Sequence, residues 1–313
     1  MKIALIGNCQ ISTLRNILLA SDHTLDIPSL PAVHQINETS LPAVEQLLLE
    51  ADWVVAQLVS DDYPLASLRT NVLRERFGRK LIVWPNLHFY GYGPDVDVLR
   101  DPEFQHFRGP LLDYHSDKIL LGYALGFSVE KTASLFLEIT PLDLMYRDSY
   151  TLSLEELKRR EKGCDIEISD KIEEHFAAKR LFYVMNHPSS FLVQFVAQRM
   201  LEKMGRATIN VPDHYLRAFD LDAAIHPINL LVSRERGVTF QEEILFKGRR
   251  MVKTDDLMKQ APSDIVAFYT PHDMVEAFYS FYGEHADRIK AHPRTKRVLD
   301  KACAVCADGL EAQ

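Results

Sequence analysis

The chain has 313 residues, 47% of them hydrophobic and 26% charged, the balance of an ordinary globular protein with one large or two smaller domains. A net charge of −8 argues against a general nucleic-acid binder, which normally carries a basic excess. No apolar segment is long enough to span a bilayer, and the N-terminal apolar run ends after Ile6, too short for a signal peptide.

The first element is a short buried strand, Ile3 to Ile6, followed by a Gly7-Asn8 turn. Cys9 and Gln10 then open a helix whose period is marked by Ile11, Leu14, Ile17 and Leu18. The thiol of Cys9 therefore stands at a strand-to-helix turn, the position that presents a nucleophilic serine in many hydrolases. A cysteine there is either a nucleophile or a small buried residue packing strand against helix. The flanking Gly7, Asn8 and Gln10 favour chemistry. Backbone N–H groups at a helix start favour the thiolate, so the thiol is expected below its free pKa of about 8.5. A dinucleotide turn is disfavoured, because Cys9 and Ser12 stand where two of its three glycines belong.

Residues 40–50 read as a helix, 53–58 as a buried strand, 65–77 as a helix ended by Gly78, and 80–84 as a strand stopped by Pro85. Alternating strands and helices imply a parallel sheet, with ligands beyond the carboxyl ends of the strands. Those ends carry residues 7–10, then Gln57 to Tyr63, then Asn86 to His88, three loops expected to share one crevice. Residues 89–116 are irregular and aromatic, the profile of a functional segment. From Asp117 the chain reads as mostly helical, with helices over 128–137, 170–179 and 191–204 and a capping box from Ser153 to Glu156. A strand is expected at 182–185, a strand pair over 238–253, and a helix from Thr270-Pro271. The fold class is α/β, an N-terminal parallel sheet with helices followed by a mostly helical remainder. Its domains are 1–120 and 121–313, the second packing on the first or continuous with it.

The four scattered cysteines, Cys9, Cys164, Cys303 and Cys306, suggest reduced thiols and a cytoplasmic protein. Cys303-x-x-Cys306 lacks the two further ligands that zinc needs, so no metal is expected. A thiol nucleophile needs a base. His88 lies past the third strand, His115 lies between Asp113 and Asp117, and His187 lies at a strand end before Pro188.

Gly7-Asn8-Cys9-Gln10 after the first strand resembles the signature of the WcbI-like family of polysaccharide-biosynthesis acetyltransferases. Gln57 with Tyr63, Pro85 to Pro94 with Gly91-Tyr92, Tyr114-His115 and Asn186-His187-Pro188 extend the likeness over the first two-thirds of the chain. The resemblance implies acyl transfer from coenzyme A, as acetyl-CoA, to a saccharide hydroxyl of a capsular or related polysaccharide. It also implies a cysteine–histidine–acid site and peripheral association with a biosynthetic assembly. Cys9 is then the nucleophile, His115 the first choice of base with Asp117 or Asp113 orienting it, and His187 the second base or a positioning group. Gln10 and Asn86 are the oxyanion candidates. Gln57, Tyr63, His88, Tyr92 and Tyr114 are expected to line the pocket. The rivals are a thiol esterase or thioesterase using the same groups, and a non-catalytic coenzyme- or saccharide-binding module.

Overall fold

The computed structural model describes residues 1–100, 107–240, 242–253 and 260–311, with side chains through 305, so Cys306 lies outside the described side chains. The chain begins with β1 (Ile3–Ile6), α1 (Gln10–Ser21), α2 (Leu41–Glu50), β2 (Trp53–Gln57), α3 (Thr70–Phe77) and β3 (Leu81–Trp84). Next come β4 (Val96–Val98), β5 (Tyr114–Ser116), α4 (Asp117–Leu125), α5 (Val129–Ser134), α6 (Ser149–Glu161) and α7 (Ser169–His175). Then follow β6 (Phe182–Val184), β7 (His187–Pro188), α8 (Ser190–Lys203), α9 (Asp213–Leu216) and α10 (Leu230–Glu235). A ribbon of β8 (Phe246–Lys253) and β9 (Gln260–Tyr269) precedes α11 (Pro271–Gly283), α12 (Ala286–Ala291) and α13 (Pro293–Glu311). The class is the expected one: an N-terminal parallel sheet with helices, then a mostly helical remainder.

Two compact units divide the chain. The first is Met1–His88, Leu154–Phe176 and Asn186–Leu221; the second is Phe89–Ser153, Ala177–Met185 and Asp222–Gln313. This differs from a single cut at residue 120, because the chain leaves the first unit after His88 and returns to it twice. The returning segments supply cover for the sheet: α8 packs on α1, which packs on β1.

In the first unit β1, β2 and β3 pair in parallel in that order, with Ile6 opposite Ala56 and Ala56 opposite Val83. Side chains alternate between the faces. Ala4, Ile6, Val54, Ala56, Leu81 and Val83 share one face with Val44 and Leu48 of α2 and Leu73 of α3. Gly78 ends α3 at φ 51°, a conformation that favours glycine.

The second unit packs around Val96, Tyr114, Ile119, Phe136, Phe246, Phe278 and Tyr282. The 89–116 stretch, expected to be irregular, contributes β4 and β5, paired antiparallel with Asp97 opposite His115. The expected strand pair is β8 with β9, the partner strand lying beyond residue 253. Thr270 and Asp273 close the capping box that starts α11. Ser153 caps nothing: α6 begins one turn earlier, and the Ser153 hydroxyl instead accepts from the Tyr90 amide at 3.2 Å.

Candidate active site

The first unit builds its site around two buried glutamines. Gly7 leaves β1 so tightly that a Cβ there would lie 2.7 Å from an Ile11 methyl and would collide with the Gln57 amide. That space lets the Gln57 Oε1 accept the Asn8 amide at 2.6 Å. Gln57 Nε2 in turn donates to Gln10 Oε1 at 2.8 Å, and the Leu87 amide donates to the same oxygen at 3.2 Å. Gln10 Nε2 donates to Leu87 O at 2.7 Å and to Asn186 O at 2.9 Å. One side chain therefore ties together the β1–α1 turn, the end of β2, the loop after β3 and the segment that carries His187. The expected convergence of loops is present, with a fourth loop added.

Cys9 is half-buried and free and stands just before α1 without a side-chain capping bond, while Asn8 Oδ1 accepts the Gln10 amide at 2.9 Å. Its thiol pKa lies above the ordinary value, because burial outweighs the pull of the Cys9 and Gln10 backbone N–H groups on the sulfur. This corrects the expected lowering: the helix start acts in the predicted direction, but desolvation of the thiolate acts more strongly. Cys164, pushed by burial to about 12, is the more inert of the two.

Asn86 donates an amide hydrogen to Leu58 O at 3.1 Å. Arg160 of α6 straps this loop, donating to Asn86 O at 2.6 Å and to His88 O at 3.1 Å. Tyr63 donates to Val33 O at 2.8 Å, and the Val33 amide donates to Gly7 O at 2.7 Å, so Tyr63 steadies the turn at one remove. His187, half-buried, follows Asn186 directly, and Ser189 then caps α8. Asp220 accepts from the Ser190 amide at 2.7 Å and from its hydroxyl at 2.6 Å, fixing an acid to the His187 segment. No spacing signal in the sequence pointed to Asp220, which is 30 residues away.

Several expected roles are corrected. The Gln10 side chain has both amide hydrogens engaged and holds none for an oxyanion. His115 belongs to the core of the second unit. Its Nδ1 pairs with the Tyr282 hydroxyl at 2.8 Å and its Nε2 with Phe107 O at 2.9 Å, leaving no ring nitrogen for a substrate. The Phe107 carbonyl can only accept, so the ring is the neutral Nε2–H tautomer, and burial pulls its pKa down to about 3. Asp117 orients Arg294 rather than His115, accepting Arg294 Nε at 2.7 Å and the Tyr146 hydroxyl at 2.8 Å. Asp113 pairs with Arg108 at 3.3 Å. Tyr92 is buried in the second unit and donates to Lys179 O at 2.7 Å. Tyr114 is buried in the same core.

The first unit thus presents a thiol at a strand-to-helix turn, with a histidine and an acid on a segment that Gln10 ties to that turn. That set can carry nucleophilic acyl chemistry. No curated protein matches the chain. A solved structure is similar at TM-score 0.65 and 19% identity over 96% of this chain and 98% of that one. It is described as WcbI, a novel polysaccharide biosynthesis enzyme, native and without a disulfide bond between coenzyme A and a cysteine of that protein. At that identity the likeness is one of fold. The family model described as polysaccharide biosynthesis enzyme WcbI matches residues 2–208, a span that holds Cys9, Gln57, Asn86 and His187. The chain therefore belongs to the WcbI family of polysaccharide biosynthesis enzymes.

Proposed function

We propose that the chain transfers an acyl group, acetyl first among them, from coenzyme A to a saccharide hydroxyl in capsular or related polysaccharide biosynthesis. The observation that carries this reading is the Cys9 turn, tied through Gln10 to the backbone of Asn186, the residue before His187. The family supports polysaccharide biosynthesis, and the naming of coenzyme A with a cysteine in the similar structure supports the donor. His187 takes the Cys9 proton, a necessary step because burial keeps the thiol protonated at neutral pH. The sulfur attacks the thioester carbonyl, and the developing oxyanion faces the backbone N–H of Cys9 with Asn86 beside it, the Gln10 N–H being held by Asn8 Oδ1 at 2.9 Å. Coenzyme A leaves as its thiol, taking the proton from His187. His187 then deprotonates the saccharide hydroxyl, which attacks the acyl-cysteine, releases the ester and restores the thiol. Asp220 orients the His187 segment. Tyr63 and His88 belong to the walls. Among the described residues no helix is long and apolar enough to cross a membrane. We place the enzyme in the cytoplasm, with its donor, at the periphery of a biosynthetic assembly.

The raised thiol pKa favours one other reading, a binding module in which Cys9 touches coenzyme A without bonding to it. Incubation with acetyl-CoA followed by peptide mass analysis separates the two. An acetyl group on Cys9, absent in Cys9→Ser and formed about 10²–10⁴-fold more slowly in His187→Ala, is the expected result. Coenzyme A binding with no adduct and no thiol release in the presence of saccharides would leave the binding module standing. Acetyl-CoA consumed equally fast without any saccharide would assign the site to a thioesterase.

A further inference from the structure

The second unit contains an open cavity of about 420 Å³, walled by the first turn of α6, the start of α13 and residues 90–97. Arg294 forms its floor and is buried. Four of its five N–H donors are used: Nε on Asp117 at 2.7 Å, Nη1 on Asp97 O at 2.7 Å, and Nη2 on His115 O at 2.9 Å and Asp95 O at 3.2 Å. Arg294 and Asp117 therefore neutralise each other and shape the cavity.

Three and seven residues further along α13, Arg297 and Lys301 line the same cavity. This spacing keeps them on one helix face. Both are exposed, and among the described residues neither joins an ion pair. Ser149 and Ser153, one turn apart on α6, line the same space. Asp97 stands at the Arg294 end, where its carboxylate accepts the Tyr90 hydroxyl. At 1.5 Å of helix rise per residue, the Lys301 level lies about 10 Å from the Arg294 level. The cavity is thus cationic and uncompensated at one end, and acidic and hydroxylic at the other. A bare anion complements only the first end, and Asp97 opposes it at the second. A neutral sugar leaves two cations unanswered. A volume of this size holds a small polar ligand in full.

We propose that this cavity binds a sugar phosphate, its phosphate on Arg297 and Lys301 and its ring hydroxyls on Asp97, Ser149 and Ser153. Paired cationic donors match a phosphate's charge and oxygens, and a carboxylate with hydroxyls matches the donors and acceptors of a sugar. The assignment goes beyond the Cys9 reading and does not depend on it.

Calorimetry on the full chain tests it, with glucose-1-phosphate, galactose-1-phosphate and mannose-1-phosphate as probes and free hexose and inorganic phosphate as their halves. At least one hexose phosphate should bind more tightly than either half, and binding should weaken with salt. The R297Q/K301Q double variant should weaken it by about tenfold or more, since hydrogen bonds to charged groups carry that much. D97N should weaken the hexose phosphate and leave inorganic phosphate unchanged or tighter. C9S should bind as the native chain does, which separates this site from the acyl-transfer reading. Absence of binding at millimolar concentration, an unaffected double variant, or inorganic phosphate binding as tightly as the sugar phosphates would each overturn the proposal. Coenzyme A is the other source of phosphate. If it displaces the hexose phosphate and R297Q/K301Q loses coenzyme A as well, the cavity belongs to the coenzyme and the sugar-phosphate assignment falls.

Discussion

Cys9 sits under two opposing influences. The Cys9 and Gln10 backbone N–H groups favour the thiolate, and the surrounding protein, by excluding water, disfavours it more strongly. The thiol is therefore protonated at neutral pH until a base acts on it. Cys303, exposed on α13, has no such burial, whereas Cys164 is pushed to about 12. Alkylation of the ligand-free protein near neutral pH should accordingly modify Cys303 first, Cys9 more slowly and Cys164 last. Peptide mapping over a time course gives the order, and Cys9 reacting as fast as Cys303 would show that the thiol is activated without its partner. The histidines divide on the same physical basis. His115 is completely buried with both nitrogens engaged, while His187 is half-buried on the segment that Gln10 holds. A flanking carboxylate in the sequence says nothing about which way a ring faces, and that is why Asp113 and Asp117 made His115 look like the base.

At the scale of elements, the β1–α1 turn depends on a missing side chain. Gly7 lies close enough to Gln57 and Ile11 that any Cβ must displace one of them. Overpacking of this kind typically costs about 1–3 kcal/mol. Gly7→Ala should lose that much in urea denaturation, and it should lose activity by more than stability explains, because Gln57 positions the Asn8 amide and Gln10. A variant as stable and active as the native chain would mean that the turn relaxes freely. The three parallel strands were legible because each is a short apolar run bounded by turn residues. Boundaries shifted where tertiary contacts decide them, as at Ser153, whose hydroxyl serves the Tyr90 amide instead of a helix end.

Across the molecule, the second unit holds an unusual amount of charge in its interior. Lys118 pairs with Asp143 at 2.8 Å, Asp95 accepts the Ser116 hydroxyl at 2.6 Å, and Arg294 holds Asp117. Within this core His115 carries a pH signature. Burial lowers its pKa from 6.5 to about 3, and the nearby Arg294 and His292 charges act in the same direction. An unfolded chain protonates this histidine below its ordinary pKa, and the folded chain does not until far lower. The stability it contributes is thus complete above about pH 6.5 and declines as pH falls toward the folded value. Each tenfold difference in proton affinity between the folded and unfolded chain is worth roughly 1.4 kcal/mol, so the full loss is on the order of several kcal/mol. Urea titrations between neutral pH and pH 4 should show that decline, and His115→Gln, though less stable at neutral pH, should show a flatter one. An equal slope in both proteins would place the pH dependence on other groups. Depressed Asp95 adds loss in the same direction at lower pH, once protons reach the usual carboxylate range, and raised Asp117 opposes it.

The sequence by itself determined the α/β class, the order and direction of the first three strands, the family and the place of Cys9. All of these rest on local patterns: apolar runs, turn residues and a four-residue motif at a strand end. Tertiary structure decided which histidine stands on the segment tied to Cys9's turn, that the two glutamines are scaffold, and that Asp220 binds Ser190, three residues after that histidine. It also decided that burial outweighs the helix start at the thiol, and that Arg297 and Lys301 line a cavity. Each of these depends on contacts between residues distant in the chain, such as Gln10 with Asn186, 176 positions apart. The hydrogen-bond partner and the solvent exposure of a side chain follow from packing, and no periodicity along the chain encodes them.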